Sequence, residues 1–415
     1  MKIAYLTLGC KLNYAETSTY ERGFSAQGLE TVPWNGKADV YLVNTCSVTQ
    51  HSDNKCRNII RKCHRTNPGA VIVVTGCYAE LRREEVAALE GVKLVFGAAE
   101  KGRVVKDTLA FLGVSAVDKT PAEPVLRAWS SGERTRSFLK VQDGCDNFCA
   151  YCTVPYARGR SRNIPIAEAV DDARKIASQG IREIVLTGVN TGDFGRTTGE
   201  TFLDLLKALN DVDGIDRYRI SSIEPNLITE EAIDWIASGS KFLPHFHIPL
   251  QTGCDELLKK VGRRYDTALF ASRIDYIRSR MEGPGKLPVF FGIDVIVGLP
   301  GETDGLFRET VSFLSDRIRP AFIHIFPYSR RPGTRAAVMP GQVQDRIKTE
   351  RVALLENLCS ELHSSFVASC RGMKSKVLWE GAEKGGMMGG YTENYIRVQK
   401  PFDATLCGEI EEVTI

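Results

Sequence analysis

A chain of 415 residues, 43% of them hydrophobic, can bury the cores of two or three domains. Its formal net charge of +3 excludes a general polyanion-binding field, so a nucleic-acid surface is expected only as a local patch. No apolar run reaches the ~20 residues of a membrane span, and the opening IAYLTL is shorter than the ~7–15 residues of a secretory signal core. A cytoplasmic protein with no membrane contact is therefore expected. In that compartment the twelve cysteines read as metal ligands or reactive thiols rather than as disulfides.

Residues 1–115 alternate strand-like and helix-like segments. KIAYLTLG, DVYLVNT, VIVVTG and KLVFG are near-continuous Val/Ile/Leu runs. The segments between them, near Glu16–Gln27, Asp53–Thr66, Ala79–Leu89 and Lys101–Phe111, carry helical patterns. This predicts a doubly wound parallel sheet covered on both faces. Ligands of such sheets gather beyond the carboxyl ends of the strands. Cys10, Cys46 and Cys77 all fall at that end and can converge despite their separation in sequence.

Residues 116–136, with Pro121, Pro124 and a Ser-Ser-Gly run, read as a linker. Residues 137–340 bring strand-like runs at FLKVQDG, EIVLTGVN, RYRISSIEP, HFHIPLQ, VFFGIDVIVG and AFIHIFPYS, with helical patterns between them. Six βα units suit a partial (βα)6 barrel, whose active residues belong at the strand carboxyl ends. Residues 341–370 form a long amphipathic helix. Residues 371–415 read as a small antiparallel β module.

Directly after the first barrel strand, GCDNFCAYC places Cys145, Cys149 and Cys152 in C-x-x-x-C-x-x-C spacing. Zinc ribbons use paired C-x-x-C units and a fourth ligand, and bacterial ferredoxins use a four-cysteine run. Three thiolates on one tight loop suit a four-iron cluster with one iron left open. The bland alternative is three buried thiols.

This loop, with Tyr151 before its last cysteine and a βα barrel behind it, resembles the radical S-adenosylmethionine (SAM) superfamily. TLGCKLN, NTCSVT, TGCYAE, QDGCDNFCAYCTVPYARGRSR, LTGVNTGDFG, SSIEP, HIPLQTGCD, DVIVGLPGET and IFPYSRRPGT extend the resemblance to the methylthiotransferases. The nearest subgroup is the one that modifies threonylcarbamoyladenosine in tRNA. The resemblance implies two 4Fe–4S clusters. Cys145, Cys149 and Cys152 would hold the one that binds and cleaves SAM, and Cys10, Cys46 and Cys77 an auxiliary one that carries sulfur. It also implies two SAM molecules, one as methyl donor and one as source of a 5′-deoxyadenosyl radical acting at carbon 2 of the adenine. Competing readings are a prenylated adenosine or a ribosomal-protein aspartate as substrate. From other classes come an iron–sulfur electron carrier and an RNA-binding protein with structural clusters.

Candidate SAM contacts are Tyr151 in the cysteine loop, Asn190 in TGVN, Glu224 in SSIEP, Gln251 in HIPLQ and Gly298 in IVGLPGE. A glycine at 298 would let backbone approach the cofactor. Glu224 reads equally well as a rim salt bridge, and Glu302 as a cap of the following helix. For the anticodon loop of tRNA the best patch is Arg158, Arg160 and Arg162, with Arg330 and Arg331 on the same rim. The helix bearing Arg57, Arg61, Lys62 and Arg65 is a weaker one. The tail resembles a TRAM module, with Tyr391, Tyr395 and Arg397 in GYTENYIRV as possible RNA contacts or core. Cys56, Cys63, Cys254, Cys359, Cys370 and Cys407 read as packing residues. A flavodoxin or ferredoxin is the expected electron donor, and the sulfur donor is left open.

Overall fold

The computed structural model describes residues 1–114, 126–131 and 135–415, without the side chains of residues 382–383. Its first sheet contains β1 (Lys2–Thr7), β2 (Glu30–Thr31), β3 (Val40–Thr45), β4 (Val71–Gly76) and β5 (Val92–Phe96). They pair in parallel in the order β2-β1-β3-β4-β5. Every residue of β3 is buried, which is why the sequence shows no polar alternation there. Val40 and Leu42 join Ile3, Tyr20 and Phe24 on one face, and Tyr41 and Val43 join Cys56, Ile60 and Cys63 on the other. The helix expected over Ala79–Leu89 is two short ones, Cys77–Leu81 and Arg83–Ala87, because Arg82 leaves the helical region at φ −138°.

The second sheet holds β6 (Arg136–Lys140), β9 (Glu183–Thr187), β10 (Arg217–Ile220), β11 (Phe242–Gln251), β12 (Phe290–Val297) and β13 (Phe322–Pro327). A two-residue ribbon, β7 (Gln142–Asp143) with β8 (Arg162–Asn163), flanks the cysteine loop. The six long strands run parallel in sequence order from β6 to β13, a partial barrel. Helix Lys11–Ser25 packs along the edge strand β6, and helix Asp345–Ser369 along the other edge, β13, so neither edge is left to pair with another chain. Residues 126–131, expected within the linker, instead lie on the barrel. Trp129 is buried and bridges Leu139, and Lys140 N–H donates to the Ala128 carbonyl at 2.9 Å. Most of the expected linker, 116–125 and 132–134, lies outside the described residues.

A curled four-stranded antiparallel sheet closes the chain: β14 (Lys374–Lys384), β15 (Met387–Tyr391), β16 (Arg397–Pro401) and β17 (Ile410–Thr414). β17 pairs with β14 from Lys374 to Leu378. This module is fastened to the barrel by buried arginines. Arg219 donates to the Thr392 and Glu393 carbonyls at 2.8 and 2.9 Å, and Arg217 to the Tyr391 carbonyl at 3.1 Å. Both arginines pair with Glu183, which is fully buried. Among the described residues no helix is long and apolar enough to cross a membrane.

Candidate active site

Strands β1, β3 and β4 each end in a cysteine loop, and the loops touch. A Cβ on Gly9, held at φ +100°, would stand 2.9 Å from Cys46 Sγ, so only glycine lets the Cys10 loop close on Cys46. Gly76, at φ +99°, packs as tightly on the Thr45 carbonyl before presenting Cys77. Asn13 pins the set by donating to the Leu8 and Thr45 carbonyls at 2.7 and 3.0 Å. Cys46 and Cys77 are buried and Cys10 is exposed.

At the barrel mouth, backbone N–H groups of Asn147 and Val154 point at Cys145 and Cys152 sulfurs, at 3.5 and 3.4 Å. Arg263 donates to Cys149 Sγ at 3.3 Å. Burial pushes Cys46 and Cys145 up to about 11 and Cys152 up to about 12. Such thiols ionise when a cation binds them. Among the described residues the group whose ligand atoms all lie within 4.8 Å of one another is His247, Asp294 and His324. Neither cysteine triad is that compact, so each suits a polynuclear cluster better than a single ion.

A cavity of about 310 Å³ opens over the second triad. Tyr151, Asn190, Glu224 and Gln251, four of the expected SAM contacts, line it together with all three cysteines. Gln251 sits at a bulge with φ +73°, a costly conformation for a residue with a side chain. Glu224 accepts from Asn147 at 2.8 Å and pairs with Arg263 at 2.6 Å, and its N–H donates to Asn190 Oδ1 at 3.1 Å. Glu224 thus forms a salt bridge and lines the cavity at once. Gln142 accepts from the N–H groups of Val189 and Asn190 at 2.8 and 3.0 Å, fixing that loop. Arg263, Gln142 and Asp294 were missed. A lone Asp in the apolar run FFGIDVIV was the available signal; nothing local marks Arg263.

Gly298 is elsewhere. Its Cβ direction is filled by Lys348, and Glu302 accepts from its N–H and from that of Leu299. Glu302 thus braces this turn, while Thr303 caps the next helix.

The opposite wall of the cavity is Val48 and Thr49, two and three residues past Cys46. Arg331, expected on an RNA-facing rim, is instead buried and clamps this loop. It pairs with Asp53 at 2.6 Å and donates to Ser47 at 2.9 Å. Arg158 is likewise buried and bridges the two cysteine centres. It pairs with Asp143 at 2.8 Å and Glu16 at 3.2 Å and reaches Asn13 and Cys10. Arg160 and Arg330 are exposed, Arg397 lies on β16, and Arg162 is half-buried against the Arg158 carbonyl. In the weaker patch Arg61, Lys62 and Arg65 are exposed, and Arg57 pairs with Glu85. Cys56, Cys63, Cys254, Cys359 and Cys370 are buried, and Cys407 is half-exposed.

Glu16 and Asp143 also accept from Lys140, and Glu16 from Lys101. These cations hold both carboxyls well below their ordinary range. A depressed folded-state value adds stability above the unfolded pKa, ~4 for carboxylates, and that stability is lost as pH falls through the folded value. The thermal midpoint, followed by calorimetry from pH 7 to 3, should hold to about pH 4 and then drop. Replacing Asp143 with Asn should flatten that drop.

A partial parallel barrel with a three-cysteine loop at its carboxyl mouth, joined to a doubly wound domain carrying a second triad, defines a two-centre radical SAM enzyme. Residues 139–314 match the Radical SAM superfamily, and residues 2–97 the family described as Uncharacterized protein family UPF0004. A threonylcarbamoyladenosine tRNA methylthiotransferase of Bacillus subtilis is 37% identical, covering 100% of this chain and 93% of its own. Its namesake in Aquifex aeolicus is 35% identical, over 96% and 97%. A tRNA-2-methylthio-N6-dimethylallyladenosine synthase of Nitratidesulfovibrio vulgaris is 32% identical, over 91% and 86%. Among solved structures, the radical SAM methyltransferase TsrM of Kitasatospora setae shares the fold with a TM-score of 0.58 at 17% identity, over 81% of this chain and 77% of that one. The chain belongs to the radical SAM methylthiotransferase family, alongside the threonylcarbamoyladenosine tRNA enzymes.

Proposed function

We propose that this enzyme methylthiolates carbon 2 of N6-threonylcarbamoyladenosine beside the tRNA anticodon. What carries the reading is that the loop after Cys46 walls the cavity built on Cys145, Cys149 and Cys152. A base held there lies between the two cysteine centres. In the family, 4Fe–4S clusters and SAM supply a methyl group and a hydrogen-abstracting radical, chemistry that belongs to the cofactors. Cys145, Cys149 and Cys152 hold the SAM-binding cluster, and Cys10, Cys46 and Cys77 the auxiliary one. Asn190, Glu224 and Gln251 position SAM, and Tyr151 with the docked Val48–Thr49 loop excludes water. Exposed Arg160 and Arg330 meet tRNA phosphates. The enzyme works in the cytoplasm with a flavodoxin or ferredoxin as electron donor.

Arg263 is assigned to orient Glu224 and to donate to Cys149. Replacing Arg263 with Met removes a buried charge-assisted pair, commonly ~1.5–3 kcal/mol, so SAM affinity should fall by about ten- to a hundredfold. Equilibrium dialysis with the reconstituted protein measures it, and unchanged affinity would make Arg263 a packing residue. The reaction itself is tested anaerobically, with iron, sulfide, dithionite, SAM, a sulfur source and tRNA. A methylthio mass gain on threonylcarbamoyladenosine supports the assignment. A gain only on prenylated tRNA transfers it to the other tRNA subgroup.

A further inference from the structure

Below the SAM cavity the barrel interior continues into a second cavity of about 620 Å³. The two meet at His247 and Asp294, which are hydrogen-bonded at 2.6 Å; Asp294 lines the upper cavity and His247 the lower. The lower cavity is closed on one side by Gly9 and Lys11, which flank Cys10, and beneath by Tyr391, Tyr395 and Arg397 of the C-terminal sheet.

Its charge is one-sided. Lys11, Arg136, Arg219 and Arg397 line it, and no Asp or Glu does. Arg136 and Arg219 are neutralised from behind by Glu183, with Glu380 also on Arg136. Among the described residues the Lys11 ammonium and the Arg397 guanidinium have no hydrogen-bond or ion-pair partner. Lys11 also feels the charges of Arg136 and Arg219, opposed in part by the Asp294 carboxylate at the junction of the two cavities. Lys11 is half-buried and Arg397 exposed, so the cavity wall presents two unpaired cations whose positive field attracts an anion. Tyr391 and Tyr395 are stacked at 4.7 Å with Arg136 over Tyr391, which makes the floor stiff.

We propose that this cavity is the specificity pocket for the substrate base, taking the carboxylate-bearing arm on N6 of the adenosine, with Lys11 and Arg397 as its anion ligands. The inference rests on the reading of a threonylcarbamoyl-type adenosine as substrate. An adenine at the junction of the two cavities puts carbon 2 toward the cysteine centres and its N6 arm toward the cations. An apolar prenyl arm would cover half-buried Lys11 without pairing it, which is discrimination by an unsatisfied polar site.

The test uses the full-length reconstituted enzyme and two anticodon stem-loop RNAs. One carries threonylcarbamoyladenosine, and the other the same arm with its carboxylate converted to a carboxamide. The enzyme is expected to bind the carboxylate RNA about tenfold tighter or more. Lys11→Met should erase that preference by weakening the carboxylate RNA alone, and Lys11→Arg should keep it. Because Lys11 adjoins Cys10, Arg397→Met, far from the cysteines in sequence, gives the same comparison without disturbing that loop. Equal weakening of both RNAs would show that the cations serve backbone phosphate and would overturn the proposal. So would an enzyme that methylthiolates threonylcarbamoyladenosine yet binds both RNAs alike. Failure of the substrate reading is separate: methylthiolation of prenylated RNA only.

Discussion

Cys145→Ala should abolish both SAM cleavage and the methylthio product, whereas Cys10→Ala should abolish only the product. The two centres sit on different domains, the first on a loop stabilised by its own backbone N–H groups and by Arg263. Nothing in that loop depends on the Cys10 sulfur, so deoxyadenosine should still form in Cys10→Ala, at a rate within about threefold of the parent for an intact site. Product in Cys10→Ala should fall by at least ~10³, the loss expected when a transferring group is missing rather than misplaced. Chromatography of deoxyadenosine and mass spectrometry of the nucleosides read both arms from one reaction. Full product from Cys10→Ala would remove the first cysteine triad from the chemistry. Loss of cleavage as well would mean that the N-terminal domain shapes the SAM cavity through more than the Val48–Thr49 wall.

The three opening cysteines were legible because parallel strands deliver their ends to one edge, a consequence of period and direction alone. The Cys145 loop was legible from spacing, β9 to β12 from their buried runs, and the partly exposed β6 and β13 from their apolar residues. What sequence could not show was side-chain direction. Arg158 and Arg331 follow strand ends and sit in a basic stretch, yet both turn inward, toward carboxylates that include distant ones: beside Asp143, Arg158 meets Glu16, 142 residues away, and Arg331 meets Asp53, 278 away. A local charge run carries no information about such partners. The barrel lumen was half legible. His245 and His247 alternate along β11, and Asp294 is the lone acid of β12, strands that otherwise bury apolar side chains; such inward polar positions mark a cavity rather than a core.

The largest effect on the coupling between centres is expected at Arg158. Two buried carboxylates, Glu16 and Asp143, face Lys101, Lys140 and Arg158, with Arg162 at 3.5 Å on the edge. The cations are in excess, and the surplus points at sulfur: Arg158 lies 4.0 Å from Cys10, and at Cys77, where burial pushes the thiol up, Arg158 is the largest charge opposing that rise. The cluster of charges is a positive footing for anionic thiolates, contributed mainly by residues outside the cysteine loops. Arg158→Met leaves the carboxylates still neutralised by two lysines, so the fold should survive, at a cost near the lower end of the ~3–5 kcal/mol seen when a buried pair is broken. The auxiliary centre should not survive, since Cys10 loses the cation beside it and Asn13, though still donating to the Leu8 and Thr45 carbonyls, loses the donor to its Oδ1. Iron bound after reconstitution should fall by about half if one of two similar clusters is lost, with SAM cleavage retained and product absent. Arg158→Lys should restore part of the iron, because charge returns without the planar fork that spans Asp143 and Asn13. Full iron and full product in Arg158→Met would show the arginine to be no more than an interdomain clamp.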